Sequence, residues 1–330
     1  MSEKTPINKL NIDIVYTWVN DKDKEWEEKK NKYMKASNIP IDDANSKCRY
    51  VNNNELMYSL RSVEKFAPWI NRIFIVTDNQ IPEWLDVSHP KIKIIDHKEI
   101  IPNDCLPTYN SIAIEHCIVN IPDLSENFLY ANDDTFIARA VTPDFFYAKD
   151  GYPYYRFGYK YPDNPDSPYS IITTKTDELV KNKLGFNLGM FSHHNIDAYK
   201  KSTIMDCLKI FKKEITETIH CKFRESSNIE RQIYSLYALA TKQGHYKGVF
   251  RIDKYVPFYK NKLLNLLYKM EKPESLYIPA SQDDLYEEIV KQENIKLFCI
   301  NDGGETTEQD RETVKNFLSS YYPEKSSFEM

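Results

Sequence analysis

A chain of 330 residues is long enough to bury a full hydrophobic core, as one large domain or as a core with a sizeable insertion. Its formal charge of −5, with both signs interspersed, argues against nucleic acid as the main partner, since phosphate backbones select net basic faces. The six cysteines are scattered, with no CxxC pair and no zinc-like His/Cys spacing, so they read as reduced core residues of a reducing compartment.

The opening residues, MSEKTPINKL, carry no apolar signal core, and nowhere does the chain run through about 18 uninterrupted apolar residues. The expectation is a cytoplasmic protein, free or peripheral at the inner membrane face. Residues 11–18, NIDIVYTW, predict a buried first strand that ends in the polar turn Val19-Asn20-Asp21. Residues 22–37 are charged with helical spacing. Asn53-Asn54-Glu55 supplies an N-cap and an early acid, Leu56, Leu60, Val63 and Ala67 then fall on one stripe, and Pro68 stops the helix. A second strand is expected over 72–78, a third over 91–96, a helix over 109–119 and a fourth strand over 127–131. Strands alternating with helices predict an α/β fold built on a mostly parallel sheet.

From about residue 142 to 184 the pattern dissolves into proline, tyrosine, glycine and aspartate, which predicts an irregular insertion. Helices are expected over 195–219 and 227–243. The aromatic and basic segment 255–270, YVPFYKNKLLNLLYKM, reads either as a core-facing amphipathic helix or as one lying on a membrane surface. A strand over 296–300, a turn at Asn301-Asp302-Gly303-Gly304 and a terminal helix close the chain. The expected division is residues 1–141 as an α/β binding part, 142–290 as an insertion with helices, and 291–330 as a strand and helix that complete the core.

One stretch carries chemistry by itself. Phe128-Leu129-Tyr130-Ala131 ends abruptly in Asn132-Asp133-Asp134, and open α/β sheets bind ligands just beyond the carboxyl ends of their strands. Adjacent carboxylates there suit a divalent cation bridging phosphate oxygens, hence a nucleotide-sugar site. The plainer reading is a strand-to-turn transition in which Asn132 and Asp133 cap the next segment. The 24 tyrosines suit the C–H patches of sugar faces, or are compositional bias.

Four blocks, read in order, resemble the Stealth family of sugar-1-phosphate transferases, which includes bacterial capsule polymerases and the catalytic subunit of animal GlcNAc-1-phosphotransferase. They are Ile12-Asp13-Ile14-Val15-Tyr16-Thr17-Trp18-Val19-Asn20; the segment from Arg49-Tyr50 through NELMYSLRSVEKFAPWINRIFIVTDNQIPEWL; Leu106-Pro107-Thr108 through Glu115 to Asn132-Asp133-Asp134 and Pro143-Asp144-Phe145-Phe146; and Phe298-Cys299-Ile300-Asn301-Asp302 with the Tyr322-Pro323 to Ser327-Phe328-Glu329 tail.

The resemblance implies a GT-A-like nucleotide-sugar fold with an acceptor-side insertion. It implies an enzyme in which a glycan hydroxyl attacks the β-phosphorus of a UDP-sugar, UMP departs, and a phosphodiester of a capsular or surface polysaccharide forms. UDP-GlcNAc is the preferred donor by resemblance. Charge growing on the phosphate and on the leaving UMP calls for a cation, Mg²⁺ or Mn²⁺, and for guanidinium groups, and the attacking hydroxyl calls for a base. Asp134 and Asp302 are the preferred metal ligands, with Asn132, Asp133 and Asn301 beside them. The family's motifs also point to Glu115, His193 and Arg224. Glu115 sits in IAIEHCIV, where a buried carboxylate needs a strong partner. His193 falls where the family places a histidine followed two residues later by proline and is the preferred catalytic histidine; Asn195 stands in the proline's place, which leaves His194 open as the alternative base. Arg224 is read as the diphosphate clamp, against an ordinary surface ion pair. Thr17, Trp18 and Asn20 are expected to contact uracil and ribose, with core packing the other reading for Trp18. Arg61 and Glu55 are expected to face the same region, pairing with phosphate or with each other. The alternatives are a conventional glycosyltransferase that releases UDP, and a non-catalytic glycan-binding protein of a capsule assembly.

Overall fold

The computed structural model describes residues 7, 10–36, 45–160, 167–249 and 274–330. The chain begins with β1 (Ile12–Thr17), α1 (Lys24–Ala36), α2 (Glu55–Phe66), β2 (Ile73–Thr77), β3 (Ile92–Asp96), α3 (His97–Ile100), α4 (Ser111–Cys117) and β4 (Asn127–Asn132). The middle part holds β5 (Thr135–Ile137), β6 (Tyr154–Lys160), α5 (Pro168–Leu184), β7 (Met190–Ser192), β8 (Asp197–Lys200), α6 (Lys201–Ile210), α7 (Lys212–His220), α8 (Gln232–Ala240) and β9 (His245–Gly248). It closes with β10 (Ser275–Pro279), α9 (Tyr286–Lys291), β11 (Leu297–Asn301) and α10 (Glu308–Tyr321). Among the described residues, no helix is long and apolar enough to cross a membrane.

The main sheet runs β3-β2-β1-β4-β8. Its first four strands are parallel and β8 is antiparallel to β4, giving the mostly parallel α/β architecture expected. The chain builds outward from β1 through β2 to β3, then returns to lay β4 on the other side of β1. That reversal is a topological switch point, and it opens a crevice beyond the carboxyl ends of β1 and β4, where Thr17 stands beside Asn132 in register.

Alternation along the strands decides which face each residue buries. Ile12, Ile14 and Tyr16 of β1, with Leu129 and Ala131 of β4, pack against the Leu56, Leu60, Val63 and Ala67 stripe. Val15, Phe128 and Tyr130 point the other way, into a core with Ile114, Cys117 and α8. Each fully buried Leu, Ile, Val or Phe among them contributes about 1.5–3 kcal/mol. A second sheet, β10-β11-β5, carries β11 parallel to β10 and antiparallel to β5. A third, β7-β6-β9, flanks the crevice.

Two expectations need correction. The stretch read as irregular contains β6 and the 17-residue α5, which opens on Ser167 with Pro168 at its first position and closes on Gly185 at φ 69°. A capping serine, a proline and a terminal glycine bracket that helix, so its ends were written in the sequence although its interior lacks a clean apolar stripe. The helix expected over 195–219 starts instead as β8, then forms α6 and α7 with a break at Phe211. Pairing with β4 overrides local helical preference for those first residues. The segment 255–270 lies outside the described residues.

One polar residue in β1 is structural. Asp13 is fully buried and accepts from Asn71 Nδ2 (2.7 Å), the Ser125 backbone N–H (2.8 Å) and Arg72 Nη2 (3.2 Å), which ties β1 to the turns before β2 and β4. Asp13→Ala strands those donors, and the expected cost is about 2–4 kcal/mol in urea unfolding, toward the lower end because Arg72 is partly open to water. An unchanged midpoint contradicts this role.

Candidate active site

The crevice is a cavity of about 470 Å³. Strand and helix ends bring to it residues far apart in sequence: Thr17 and Trp18 after β1, Asp78 after β2, Glu55 at the start of α2, Asn132 to Asp134 after β4, and Asn301 and Asp302 after β11. Glu115 on α4, Arg224 after α7 and Arg231 before α8 close the opposite wall.

Three carboxylates crowd one side of it. Burial, and then the charges of Glu55 and Asp134, push the Asp133 carboxyl well above its ordinary pKa. Burial raises Glu55 as well; its hydrogen bonds from Asn53 oppose this and Asp134 adds to it. Asp134 differs. Burial alone would raise it, but His194, Asn301 and Cys299 outweigh that and leave it below the usual carboxylate value. Asn301 Nδ2 donates to Asp134 Oδ2 at 3.1 Å, and His194 Nε2 stands 3.8 Å from Oδ1. Oδ1 is buried without a hydrogen-bond partner. Asp134, His194 and Cys299 also form a group whose ligand atoms lie within 4.8 Å of one another. Buried acids pushed toward holding protons, together with an orphaned carboxylate oxygen, are the electrostatic condition a divalent cation relieves, so the carboxylates fit the hard cation expected here, whereas the imidazole and thiol beside Asp134 are donors that a softer ion would favour.

The opposite wall is a buried network. Thr17 Oγ1 donates to Tyr130 OH (2.9 Å), and Tyr130 OH donates to Glu115 Oε1 (3.0 Å). Arg231 Nε reaches Glu115 Oε2 at 3.4 Å, its Nη1 donates to Asp197 and to Tyr199 OH, and its guanidinium lies over the Tyr130 ring. Arg231 is therefore the strong partner that Glu115 requires. Burial would pull the Arg231 pKa down, yet Tyr199, Asp197, Glu115 and Glu230 together hold it above its ordinary value. The adjoining Glu230 is pushed up to about 7, chiefly by burial, with Arg231 opposing and Glu115 and Asp197 adding to the rise. Arg224 donates to Ser111 Oγ, and burial and then the neighbouring Arg49 pull its pKa down. Glu115, Tyr50 and Glu230 oppose that fall, and the guanidinium lines the cavity where its fork suits phosphate oxygens.

The structure brings Thr17, Trp18, Glu115, Asn132, Asp133, Asp134, His193, Arg224, Asn301 and Asp302 to the cavity wall. Several expectations change in detail. His193 is buried with Nε2 2.8 Å from Ser275 Oγ, whereas His194 stands next to Asp134 and 3.3 Å from Asn132 Nδ2. Nε2 is thus the ring nitrogen that faces both Asn132 and Asp134. Asp302 belongs to neither metal-competent group among the described residues; Arg311 grips both its oxygens, at 2.7 and 3.3 Å. Arg61 is absent from the cavity lining and is not paired with Glu55: its fork is filled by Glu329, at 2.8 and 2.7 Å, and by the Tyr322 carbonyl. Asn20 is also outside the lining, locked through its backbone N–H and carbonyl to Gln80. Trp18 is 6% exposed and packs in the core under the cavity floor.

Arg231, Glu230 and the aromatic wall of Tyr169, Phe191 and Tyr277 were not foreseen. The first two had a signal, since Glu230-Arg231 stands directly before the apolar run QIYSLYALA and charges entering a buried helix need partners. Tyr169 and Phe191 stack at 5.6 Å, and no spacing rule announces that contact.

Comparison with known proteins gives three family-model matches: Stealth protein CR1, conserved region 1, over residues 11–38; CR2, conserved region 2, over 49–155; and CR4, conserved region 4, over 287–330. The capsular polysaccharide phosphotransferase fcs1 of Haemophilus influenzae is 39% identical over 66% of this chain and 62% of its own length. The capsular polysaccharide phosphotransferase LcbA of Aeromonas hydrophila is 31% identical over 95% of this chain and 84% of its own. A capsular polysaccharide phosphotransferase of Neisseria meningitidis serogroup B is 30% identical over 94% and 82%. Among solved structures, the galactosyltransferase LgtC aligns over 94% of this chain and 96% of its own at 14% identity and a TM-score of 0.43, too weak a likeness to assign a fold.

The raised Glu230 carboxyl gives a sign for pH. A carboxyl whose folded pKa lies above its unfolded value binds the extra proton only when folded, so its contribution is full below about 4.5 and is lost as pH rises toward about 7. Glu230→Gln is expected to flatten the decline in thermal stability across that window; an unaltered pH profile contradicts it.

Proposed function

Because the chain belongs to the Stealth family, we propose that it is a sugar-1-phosphate transferase of capsular polysaccharide synthesis. It takes a hexose-1-phosphate, preferably GlcNAc-1-phosphate, from a UDP-sugar to a hydroxyl of a glycan acceptor and releases UMP. The observation that carries this reading is the meeting of Asp134, its carboxylate neighbours, His194 and Arg224 on one cavity at the switch point of the sheet. Acid and guanidinium groups on facing walls suit a diphosphate with a cation, which neither a bare glycan groove nor a structural cavity requires.

The cavity's extent agrees with such a donor. It reaches from Asp78 and His97, after β2 and β3, to Asp134 after β4. At about 4.8 Å per strand, three strand spacings give about 14 Å, room for a nucleoside diphosphate laid across the strand ends. His97 there is pulled down to about 4 by burial, with Asp78 and Asp96 opposing, so it is neutral at physiological pH and presents no charge to a base.

In the transfer, the acceptor oxygen forms a bond to the β-phosphorus while the bond from that phosphorus to the bridging oxygen breaks, and UMP leaves with the electron pair. His194 Nε2 takes the hydroxyl proton; His193, tied to Ser275, holds the strand end in place. Arg224 meets the charge on the transferring phosphate, aimed by its bond to Ser111. Arg231 pairs with Glu115 at the cavity wall, where the carboxylate orients the acceptor hydroxyl. Mg²⁺ or Mn²⁺ bound at Asp134, with Asp133 and Glu55 behind it, would neutralise the diphosphate and favour departure of UMP.

Incubation of the enzyme with UDP-GlcNAc, divalent metal and capsule oligosaccharide is expected to release UMP, read by chromatography. UDP as the nucleotide product instead points to a conventional glycosyltransferase. Asp134→Asn is expected to lower turnover by on the order of 10²-fold or more, and His194→Ala by about 10²–10⁴-fold. Full activity in Asp134→Asn would mean a non-catalytic glycan-binding protein.

A further inference from the structure

Away from the cavity, the short turn before α4 and the end of α7 bring together three side chains of unlike chemistry. Asp104, Cys105 and His220 offer a carboxylate oxygen, a thiol sulfur and an imidazole nitrogen that all lie within 4.8 Å of one another. His220 Nε2 is 3.2 Å from Asp104 Oδ2, and Cys105 Sγ is 3.8 Å from Asp104 Oδ1. We propose that these three residues are a second metal site, taking a thiophilic divalent ion of the Zn²⁺ class.

An observation outside the cluster supports a ligand role for the histidine. His220 Nδ1 lies 2.8 Å from the Thr216 carbonyl, one turn back on α7. A carbonyl only accepts, so Nδ1 donates and the ring is fixed in orientation, with Nε2 turned to the Asp104 carboxylate, where it gives up its own proton when an ion takes that place. Donation of the far ring nitrogen to a backbone carbonyl is how metal-bound histidines are oriented. The sulfur lies at the inner side, with Cys105 only 1% exposed, while the Asp104 and His220 side chains are 73% and 49% open to solvent. That gives a path of entry from solvent and room for water to complete four-fold coordination. Thiolate with imidazole and carboxylate matches Zn²⁺ and Co²⁺, whereas Mg²⁺ and Ca²⁺ select oxygen. Binding releases the Cys105 thiol proton to solvent, and also the Nε2 proton of any protonated His220.

The site's place in the fold suggests its use. Beyond it, the two segments run together as a ladder of hydrogen bonds. Lys222 Nζ donates to the Leu106 and Pro107 carbonyls (2.8 and 3.2 Å), Tyr109 N–H donates to the Lys222 carbonyl (2.7 Å), and Asn110 Nδ2 donates to the Cys221 and Phe223 carbonyls (3.1 and 3.2 Å). The inner end of that ladder is Arg224 against Ser111. An ion at the outer end staples the segment that delivers Arg224 to the cavity.

Co²⁺ added to the chelator-stripped full chain reads the site through thiolate-to-metal charge-transfer absorption. The expected result is one equivalent that gives the band, beyond any Co²⁺ held by the carboxylates of the cavity, displaced by Zn²⁺, with the band kept in Cys299→Ser and lost in Cys105→Ser and His220→Gln. His220→Gln alters an exposed position, so it decides the matter even where Cys105→Ser fails to fold, and its Zn²⁺ affinity is expected to fall about tenfold or more. A wild-type chain without the band, or a band lost in Cys299→Ser and kept in Cys105→Ser, overturns the proposal.

Discussion

Repulsion among Glu55, Asp133 and Asp134 is the constraint around which the rest of the site is arranged. Left to themselves, three half-enclosed carboxyls relieve the repulsion by keeping protons, and burial has pushed Asp133 and Glu55 in that direction. Only Asp134 is held on the ionised side, by His194 and Asn301. The fold supplies the energy that keeps the acids together. Tyr16 OH and Ser59 Oγ share a 2.8 Å hydrogen bond, and Ser59 Oγ donates to the Thr135 carbonyl, which ties β1, α2 and the start of β5 into one floor. Acids mounted on a floor that cannot relax form a site poised for positive charge.

The facing wall solves the converse problem. Arg231 is buried among Asp197, Glu115, Tyr199 and the ring of Tyr130, so its charge is compensated several times over. Removing one partner of such a buried set costs far more than the set contributes to stability, and in return the arrangement fixes where each carboxylate points. Glu115 and Thr17 are joined through Tyr130 in one chain of hydrogen bonds. Arg224 is mounted differently, on a neutral serine, and it remains available to an anion.

How much of this was legible followed from how local each feature is. The strands 11–18, 72–78, 91–96 and 127–131 and the α2 stripe were readable because burial on a sheet or under a helix imposes a period on the sequence itself. The place of Asn132 to Asp134 on the cavity was readable because a strand end is a fixed place in an α/β sheet. Glu115 could be recognised as a carboxylate in need of a partner, yet Arg231 could not be matched to it, since that pairing depends on how α8 packs. His193 and His194 were indistinguishable because neighbours diverge only once backbone geometry is set. Arg61 misled for the same reason: it shares α2 with Glu55, but the C-terminal tail reaches across and takes its guanidinium. Cys299 read as plain core and is core, though its sulfur also borders Asp134.

Mn²⁺ binding followed by electron paramagnetic resonance, with UDP-GlcNAc present, tests the central claim most directly. One tightly bound Mn²⁺ per chain, lost in Asp134→Asn and retained in Arg61→Gln, is the predicted result. Binding that is unchanged in Asp134→Asn would contradict the account.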